Sequence, residues 1–293
     1  MPLLDLVILA IIQGITEFLP ISSSGHLILW PLLTGRPDQG VALDIAVHLG
    51  TLIAVCLYFR AETARLAIGS VHLLTRRWET ADARLAFLVG IATVPAIAFG
   101  LGLKLSGLIE DLRAIEVIGW ATLIGGILLW LADRYGPERR AELPQKTPEG
   151  DVPGWRLQDA VIMGLAQALA LIPGTSRAGI TMTAARALGF EREEAARLSL
   201  VMAIPVILAA AAVEIVSIET TGVSAAVAAT PEGSLALRSG LYLDMAIAGG
   251  LSCIAAFIAM IVMFRMFRAR WTMTPFVLYR LALGVALLAI AYS

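Results

Sequence analysis

The sequence is poor in charged residues. Aspartate, glutamate, lysine and arginine make up 15% of its 293 residues, whereas soluble domains carry about 25%. Hydrophobic residues account for 58% of the chain, and its mean hydropathy is +0.82. This composition excludes a soluble globular protein. Because the apolar runs are long enough for spanning helices, the chain is predicted to be an all-α polytopic membrane protein.

Three further absences limit the class of protein to which the chain can belong. The formal net charge is -1, and the arginines do not form one basic face, so no nucleic-acid partner is predicted. The only cysteines, Cys56 and Cys253, lie within apolar runs, which excludes a disulfide framework. The N-terminus has no positively charged leader and carries Asp5. It is therefore expected to belong to the mature protein.

The apolar runs predict six membrane spans. A helix needs about 20 residues to cross about 30 Å of hydrocarbon. Six runs reach that length, at residues 41–59, 85–103, 115–133, 196–217, 242–264 and 275–292. The apolar stretches 26–33 and 180–188 are too short to cross. We therefore predict that residues 1–34 and 158–188 form two re-entrant helical hairpins.

Basic residues in the connections predict the topology. They follow the first, third and fifth predicted spans, which places those connections in the cytoplasm. They are Arg60, Arg65, Arg76, Arg77, Arg84, Arg134, Arg139, Arg140, Lys146, Arg156, Arg265, Arg268 and Arg270. The two hairpins then enter from opposite sides, which predicts an inverted-topology repeat. The first repeat is 1–133, the cytoplasmic linker 134–157 and the second repeat 158–293, and the hairpin tips are expected to meet near the midplane.

Two polar runs occupy the predicted tips. Residues 20–26 read PISSSGH and residues 173–179 read PGTSRAG. Polar and ionisable groups at membrane depth are costly and indicate function. Each run precedes a short helix, whose free N–H groups would form an anion site. Arg177 adds a planar fork suited to phosphate, so two such ends facing one point would hold a diphosphate.

A carboxylate stands next to the first polar run. Gln13 and Glu17 are four residues apart and share one helical face. Serine hydroxyls near Glu17 and His26 offer a nucleophile with a neighbouring base, and Arg177 would stabilise charge on phosphoryl oxygens.

Other ionisable residues receive a structural interpretation. Interfacial solvation is favoured for the acids near span ends, which are Asp44, Asp133, Asp159, Glu214 and Asp244. For His48, packing is slightly favoured over a place in the cavity. Arg280, inside the last span, is left unassigned.

Both motifs resemble those of a known family. Residues 13–26, QGITEFLPISSSGH, resemble the first motif of the undecaprenyl-diphosphate phosphatase family, and residues 173–181 are similar to its second. The resemblance covers essentially the whole chain. It implies a hydrolase acting on a phosphoric anhydride, which converts undecaprenyl diphosphate to undecaprenyl phosphate and inorganic phosphate. This reaction supports cell-wall synthesis and bacitracin resistance. The family further implies the bacterial inner membrane, a site open to its outer side, and a divalent cation.

The resemblance also assigns roles to residues. Glu17, Ser23, His26 and Arg177 are the expected catalytic residues, with Ser23 at the position of the nucleophilic serine. Whether Ser23 or His26 attacks stays open, although Ser23 is preferred because Glu17 is available as its base. The expected phosphate-binding residues are Gln13, Ser22, Ser24, Gly25, Gly174, Thr175, Ser176 and Thr181. Ala178 replaces a serine that is frequent in the family.

The implied cation is Mg²⁺, with Ca²⁺ as an alternative. Gln13 stands where the family accepts glutamate or glutamine, so a clamp of two carboxylates is weakened here. Mg²⁺ would rest on Glu17, with Gln13, and on the phosphates of the substrate.

Two alternatives remain open. A lipid transporter or flippase could use the same anion site, because inverted repeats with broken helices are a transporter design. Such a carrier would have no use for Ser23 as nucleophile. A purely structural membrane protein would leave Glu17 and Arg177 without purpose. A homodimer is also left open.

Overall fold

The computed structural model describes residues 3–35, 40–108, 112–137, 145–147, 150–152, 154–220 and 231–292. Within these ranges the first six helices are α1 (Leu3–Phe18), α2 (Ser23–Thr34), α3 (Val41–Tyr58), α4 (Arg60–Leu74), α5 (Ala81–Ser106) and α6 (Ile115–Tyr135). Two short antiparallel strands, β1 (Gln145–Thr147) and β2 (Gly150–Val152), pair with Gln145 opposite Val152. The last five helices are α7 (Leu157–Leu169), α8 (Arg177–Ala187), α9 (Arg192–Thr220), α10 (Pro231–Arg268) and α11 (Thr274–Ala291).

The helices confirm a polytopic all-α membrane protein. Five described helices are long and apolar enough to cross a membrane: α5, α6, Arg192–Val213 within α9, Gly240–Arg268 within α10, and α11. They contain most or all of the last five predicted spans. The first predicted span corresponds to α3, which passes the same test together with α4 across a bend of 96°. The arrangement of six spans with two re-entrant hairpins stays a prediction.

One predicted connection is helical. The stretch after the first span was expected to be a cytoplasmic loop, but residues 60–74 form α4. This helix lies against the start of α5: a Cβ on Gly69 would lie 2.0 Å from the Asp82 carbonyl oxygen, and Arg65 Nε donates to Asp82 Oδ1 at 2.7 Å. The basic residues correctly mark a polar segment. They do not exclude a helix, because arginine is a good helix former.

The two predicted hairpins are pairs of short helices. With 16, 12, 13 and 11 residues, α1, α2, α7 and α8 rise by about 24, 18, 20 and 17 Å. None of the four could cross about 30 Å of hydrocarbon. The short helices pack across the two halves of the chain: α1 packs against α10, and α7 packs against α5. Each predicted hairpin is thus held by a span of the other half.

Small residues let the backbones of α3 and α10 touch. A Cβ on Gly50 would lie 2.1 Å from the Gly249 carbonyl oxygen, and Ser252 Oγ donates to the Val47 carbonyl at 3.0 Å. Such close approaches are typical of helix packing in membranes. The largest apolar cluster continues from this contact to the polar turns, where it includes Phe18 and Met182. Apolar packing around Phe18 and Met182 therefore fixes the positions of the two polar turns.

Candidate active site

Each polar run forms a tight turn that we call an elbow. The serine elbow is residues 19–24 and the arginine elbow is residues 170–177. Ser22 has φ +74° and Ser176 has φ +65°, and each immediately precedes the first residue of a helix, Ser23 in α2 and Arg177 in α8. A positive φ is uncommon for serine and costs on the order of 1–3 kcal/mol. Both turns thus place a serine with positive φ directly before a helix.

A hydrogen bond joins the two elbows. Gly174 N donates to Ser24 Oγ at 3.0 Å, across 150 positions of sequence. Gly174 has φ +91°, and a Cβ there would lie 2.3 Å from the Ile118 carbonyl oxygen, so only glycine fits this position. The expectation that the two tips meet is confirmed by this contact.

Glu17 is the centre of the joined elbows. It lies in the last turn of α1 and is buried. Its Oε2 accepts hydrogen bonds from Gln13 Nε2 at 2.7 Å and from Ser23 Oγ at 3.1 Å, while its Oε1 forms an ion pair with Arg177 Nη2. A buried carboxylate needs such partners. The carboxylate, the serine and the arginine therefore lie within one hydrogen-bonded cluster.

A cavity of about 330 Å³ opens beside this cluster. The predicted residues that line it are Glu17, Ser22, Ser23, Ser24, Ser176 and Arg177. A second wall is apolar and includes Val206, Ile207, Ala210 and Ala211 of α9. The volume is within the range of small-ligand sites. A ligand with a charged head and an apolar tail would match both walls.

The other predicted residues lie outside the lining of this cavity. Gln13 is fully buried behind Glu17, and Gly25 packs toward Leu283. Thr181 Oγ1 bonds Ser199 Oγ at 2.6 Å. Thr175 lines a separate apolar cavity of about 470 Å³ with Trp120. Their phosphate-binding roles, and that of Gly174, stay predictions.

His26 also lies outside the lining. Its Nδ1 is 2.7 Å from the Ser22 carbonyl oxygen, and its Nε2 is 2.5 Å from the Tyr279 hydroxyl. The two rings are stacked with centroids 5.5 Å apart. Both ring nitrogens are thus engaged away from Glu17. This arrangement favours Ser23 over His26 as the group that attacks.

Polar residues that were not among the predicted site residues also line the cavity, among them Thr16 of α1. Asp44 and His48 of α3 line it together with Gln167 of α7, and His48 Nε2 is 3.8 Å from Glu17 Oε2. The slight preference for packing of His48 is therefore wrong, whereas the interfacial solvation expected for Asp44 stays a prediction. The signal was available: Asp44 and His48 are four residues apart on one helical face, as are Gln13 and Glu17.

Arg280, unassigned from the sequence, holds the arginine elbow from behind. It is fully buried in α11. Its Nη2 donates to the carbonyls of Gly174 at 3.2 Å and Thr175 at 2.9 Å, and its Nε donates to Thr122 O at 3.1 Å. A Cβ on Gly125 would lie 2.1 Å from the guanidinium. Backbone carbonyls therefore take the place of a counter-ion.

The oxygen donors near Glu17 fit a cation only in part. Gln13 Oε1 is buried without a hydrogen-bond partner, and amide and carboxylate oxygens suit hard cations. Within the described ranges, however, no group of three or more acidic, histidine or cysteine side chains could hold a metal ion. The chain can thus supply part of a coordination shell, and substrate phosphates would supply the rest.

Comparisons with known proteins agree with the motifs. The family model described as Bacitracin resistance protein BacA matches residues 6–286. An undecaprenyl-diphosphatase of Jannaschia sp. (strain CCS1) is 50% identical over 296 residues, which cover 100% of both chains. Those of Ruegeria pomeroyi and Roseobacter denitrificans are 47% and 46% identical over 293 residues, again with 100% of both chains covered.

Proposed function

The chain belongs to the family of the bacitracin resistance protein BacA, and from this membership we infer that it converts undecaprenyl diphosphate to undecaprenyl phosphate and inorganic phosphate. It is a multi-pass membrane enzyme with a lipid substrate. The reaction recycles the lipid carrier for cell-wall synthesis. Localisation in the inner membrane and access from its outer side belong to the proposal, as predicted from the resemblance.

The observation that carries the mechanism is the hydrogen bond from Ser23 Oγ to Glu17 Oε2, 3.1 Å long. Glu17 takes the serine proton, and Ser23 Oγ attacks the terminal phosphorus. The bond from that phosphorus to the bridging oxygen breaks, and undecaprenyl phosphate leaves. Glu17 gives its proton to the departing phosphate, then takes a proton from the water that attacks the phosphoserine and returns it to Ser23 Oγ as inorganic phosphate leaves. This pairing of nucleophile and base is the usual requirement of covalent catalysis.

Arg177 connects substrate binding to the contacts of Glu17. Before substrate binds, its guanidinium is paired with Glu17 Oε1. Phosphoryl oxygens compete for the same donors, because guanidinium binds phosphate in a bidentate manner. When the substrate takes Arg177, Glu17 Oε1 is released from this ion pair, while Oε2 keeps the hydrogen bond from Ser23 Oγ. Arrival of the diphosphate thus frees Oε1 for a cation that binds with the substrate.

A divalent cation is part of the proposal. Glu17 and Gln13 Oε1 would hold it together with the substrate phosphates, and it would neutralise charge on the phosphoryl oxygens. Gln13 gives a test of this. Gln13→Glu places a second carboxylate beside Glu17. Without a cation the two carboxylates repel each other, whereas a divalent cation is bound more tightly by two carboxylates than by one.

For Gln13→Glu we expect the Mg²⁺ concentration that gives half-maximal activity to fall by at least about fivefold, because ligand charge sets affinity. The unfolding temperature measured in chelator should also fall. Titration of phosphate release with Mg²⁺, alongside thermal unfolding with and without chelator, measures both. An unchanged half-maximal concentration would contradict a cation at Gln13.

Arg280 is a positioning residue in this proposal, because it donates to backbone carbonyls of the arginine elbow and of α6 and does not line the catalytic cavity. Arg280→Met should lower kcat by at least about tenfold, since displacement of a site by about 1 Å is costly. Arg280→Lys retains the charge but has fewer fixed hydrogen-bond donors, so its kcat should lie between that of Arg280→Met and that of the wild type. Leu278→Met, an exposed neighbour on α11, is the control. Equal kcat in Arg280→Met and the control would exclude the role.

The function is tested with the purified full chain. Undecaprenyl diphosphate in detergent micelles should yield inorganic phosphate, chelator should suppress the release, and Glu17→Gln should abolish it. The alternative lipid carrier is not favoured by the family membership. It predicts translocation of labelled lipid in vesicles without phosphate release, and that result would overturn the proposal.

A further inference from the structure

A second polar cavity, of about 750 Å³, lies at the opposite end of α8 from the arginine elbow. It is enclosed by the end of α6, the connection from α8 to α9 and the connection from α10 to α11. Its walls carry five guanidinium groups and three carboxylates, an excess of two positive charges. They belong to Arg134, Arg186, Arg192, Arg268, Arg270, Asp133, Glu191 and Glu193.

One carboxylate is shared by two of these arginines. Asp133 Oδ1 accepts from Arg186 Nε at 3.0 Å and from Arg192 Nε at 2.7 Å. The other oxygen of Asp133 accepts from Met273 N at 3.1 Å. A single negative charge thus serves two cations and also fixes the start of α11. These hydrogen bonds fix Asp133, Arg186 and Arg192 relative to one another, and the three groups together keep a net charge of +1.

Two other arginines of this cavity have no ion-pair partner within the described ranges. Arg134 and Arg270 are exposed. The fifth arginine, Arg268, forms an ion pair with Glu193 at 2.8 Å, and the two charges cancel. Arg270 has φ +60° and its backbone N–H bonds the Phe267 carbonyl at 2.9 Å. The turn that carries Arg270 is therefore defined. Only Glu191 opposes these two free cations.

Aromatic rings place this cavity at the lipid boundary. Trp130 lines it and is 42% exposed, with its ring 5.8 Å from that of Tyr135. Trp271, next to Arg270, is also exposed. Tryptophan and tyrosine concentrate where hydrocarbon meets water. Leu131 adds exposed apolar surface on α6, so the surroundings of the cavity favour a position at the level of lipid headgroups.

The cavity is separate from the catalytic one. Helix α8 carries Arg177 at its start and Arg186 near its end, which are about 14 Å apart along the helix axis. The two cavities share no lining residue. A ligand in the second cavity would therefore not occupy the site of the reaction.

We propose that this second cavity binds the phosphate diester headgroup of an anionic phospholipid. Arginines match phosphate oxygens in charge and geometry, and basic pockets between membrane helices recognise anionic headgroups. The aromatic and apolar rim favours a phosphate attached to acyl chains over free inorganic phosphate. The loop charges predict this end to be cytoplasmic.

Native mass spectrometry of the full chain tests the proposal. With phosphatidylglycerol or phosphatidylcholine added at equal concentration, we expect the wild type to retain phosphatidylglycerol preferentially. Arg134→Gln combined with Arg270→Gln should reduce this retention by roughly tenfold or more, because each arginine attracts an anionic surface independently. Neither residue touches the catalytic cavity, so phosphate release in neutral detergent should be unchanged.

The matched control combines Arg76→Gln with Arg77→Gln. Both residues are exposed outside the cavity, and Arg76 has φ +60° as Arg270 does. This control should retain phosphatidylglycerol like the wild type. Equal retention in both double variants, equal loss in both, or displacement of the lipid by millimolar inorganic phosphate would overturn the proposal.

Discussion

Ser23→Ala is expected to lower phosphate release by at least about 10³-fold while leaving binding of undecaprenyl diphosphate nearly unchanged. The variant removes the hydroxyl that donates to Glu17 Oε2 at 3.1 Å, and with it the attacking oxygen. Alanine fits the same volume, and Glu17 keeps its contacts with Gln13 and Arg177. A single-turnover assay with radiolabelled diphosphate, together with an equilibrium lipid-binding measurement, separates chemistry from binding.

His26→Gln is the companion variant, because the sequence alone does not decide between the two nucleophiles. His26 contacts the Ser22 carbonyl and the Tyr279 hydroxyl, and neither contact is made to Glu17, Ser23 or Arg177. We expect its activity to fall by less than about tenfold, through a small shift of the serine elbow. A phosphohistidine trapped in rapid-quench experiments, or a loss in His26→Gln equal to that in Ser23→Ala, would assign the attack to His26.

Arg177→Met is expected to abolish measurable turnover and also to destabilise the protein. The guanidinium is the only cation within salt-bridge distance of Glu17 among the described residues, apart from His48 at 3.8 Å when protonated. Removing one partner of a buried ion pair costs about 3–5 kcal/mol, because the other charge stays buried. The unfolding temperature in detergent should therefore fall clearly below that of the wild type.

The double variant Glu17→Gln, Arg177→Met separates these two effects. It removes both charges, so most of the lost stability should return, while activity should stay absent because base and phosphate donor are both missing. Thermal unfolding of the wild type, both single variants and the double variant completes the cycle. If the double variant were as unstable as the sum of the single variants, the two residues would not be coupled.

The elbows were predictable because their signal is local. Hydroxyls and glycine between apolar stretches, followed by segments too short to cross a bilayer, indicate broken helices. The i to i+4 spacing likewise predicts that Gln13 and Glu17 share a face, and their hydrogen bond is 2.7 Å long. An ionisable group among apolar residues also needs a partner; His26 and Arg177 are both candidates from the sequence, and the structure pairs Glu17 with Arg177.

Features that depend on packing between distant segments were not predictable. The i to i+4 spacing shows that Asp44 and His48 share a helical face, but that this face lines the cavity depends on the placement of α3 beside the elbows. Arg280 is interpretable only when its carbonyl acceptors, contributed by α6 and the arginine elbow, are known. The bend of 96° before α4 has no proline or glycine to mark it, because Tyr58, Phe59 and Arg60 stand there.

The hydrogen bond between Ser24 and Gly174 has a consequence for a gene interrupted in the linker. Residues up to 137 would carry the carboxylate and the serines, and residues from 154 would carry the guanidinium. Because α1 packs on α10 and α7 packs on α5, each fragment would also expose a surface shaped for its counterpart. Fragment complementation is therefore expected. Two inactive polypeptides, synthesised in the same cell, should reconstitute one working enzyme.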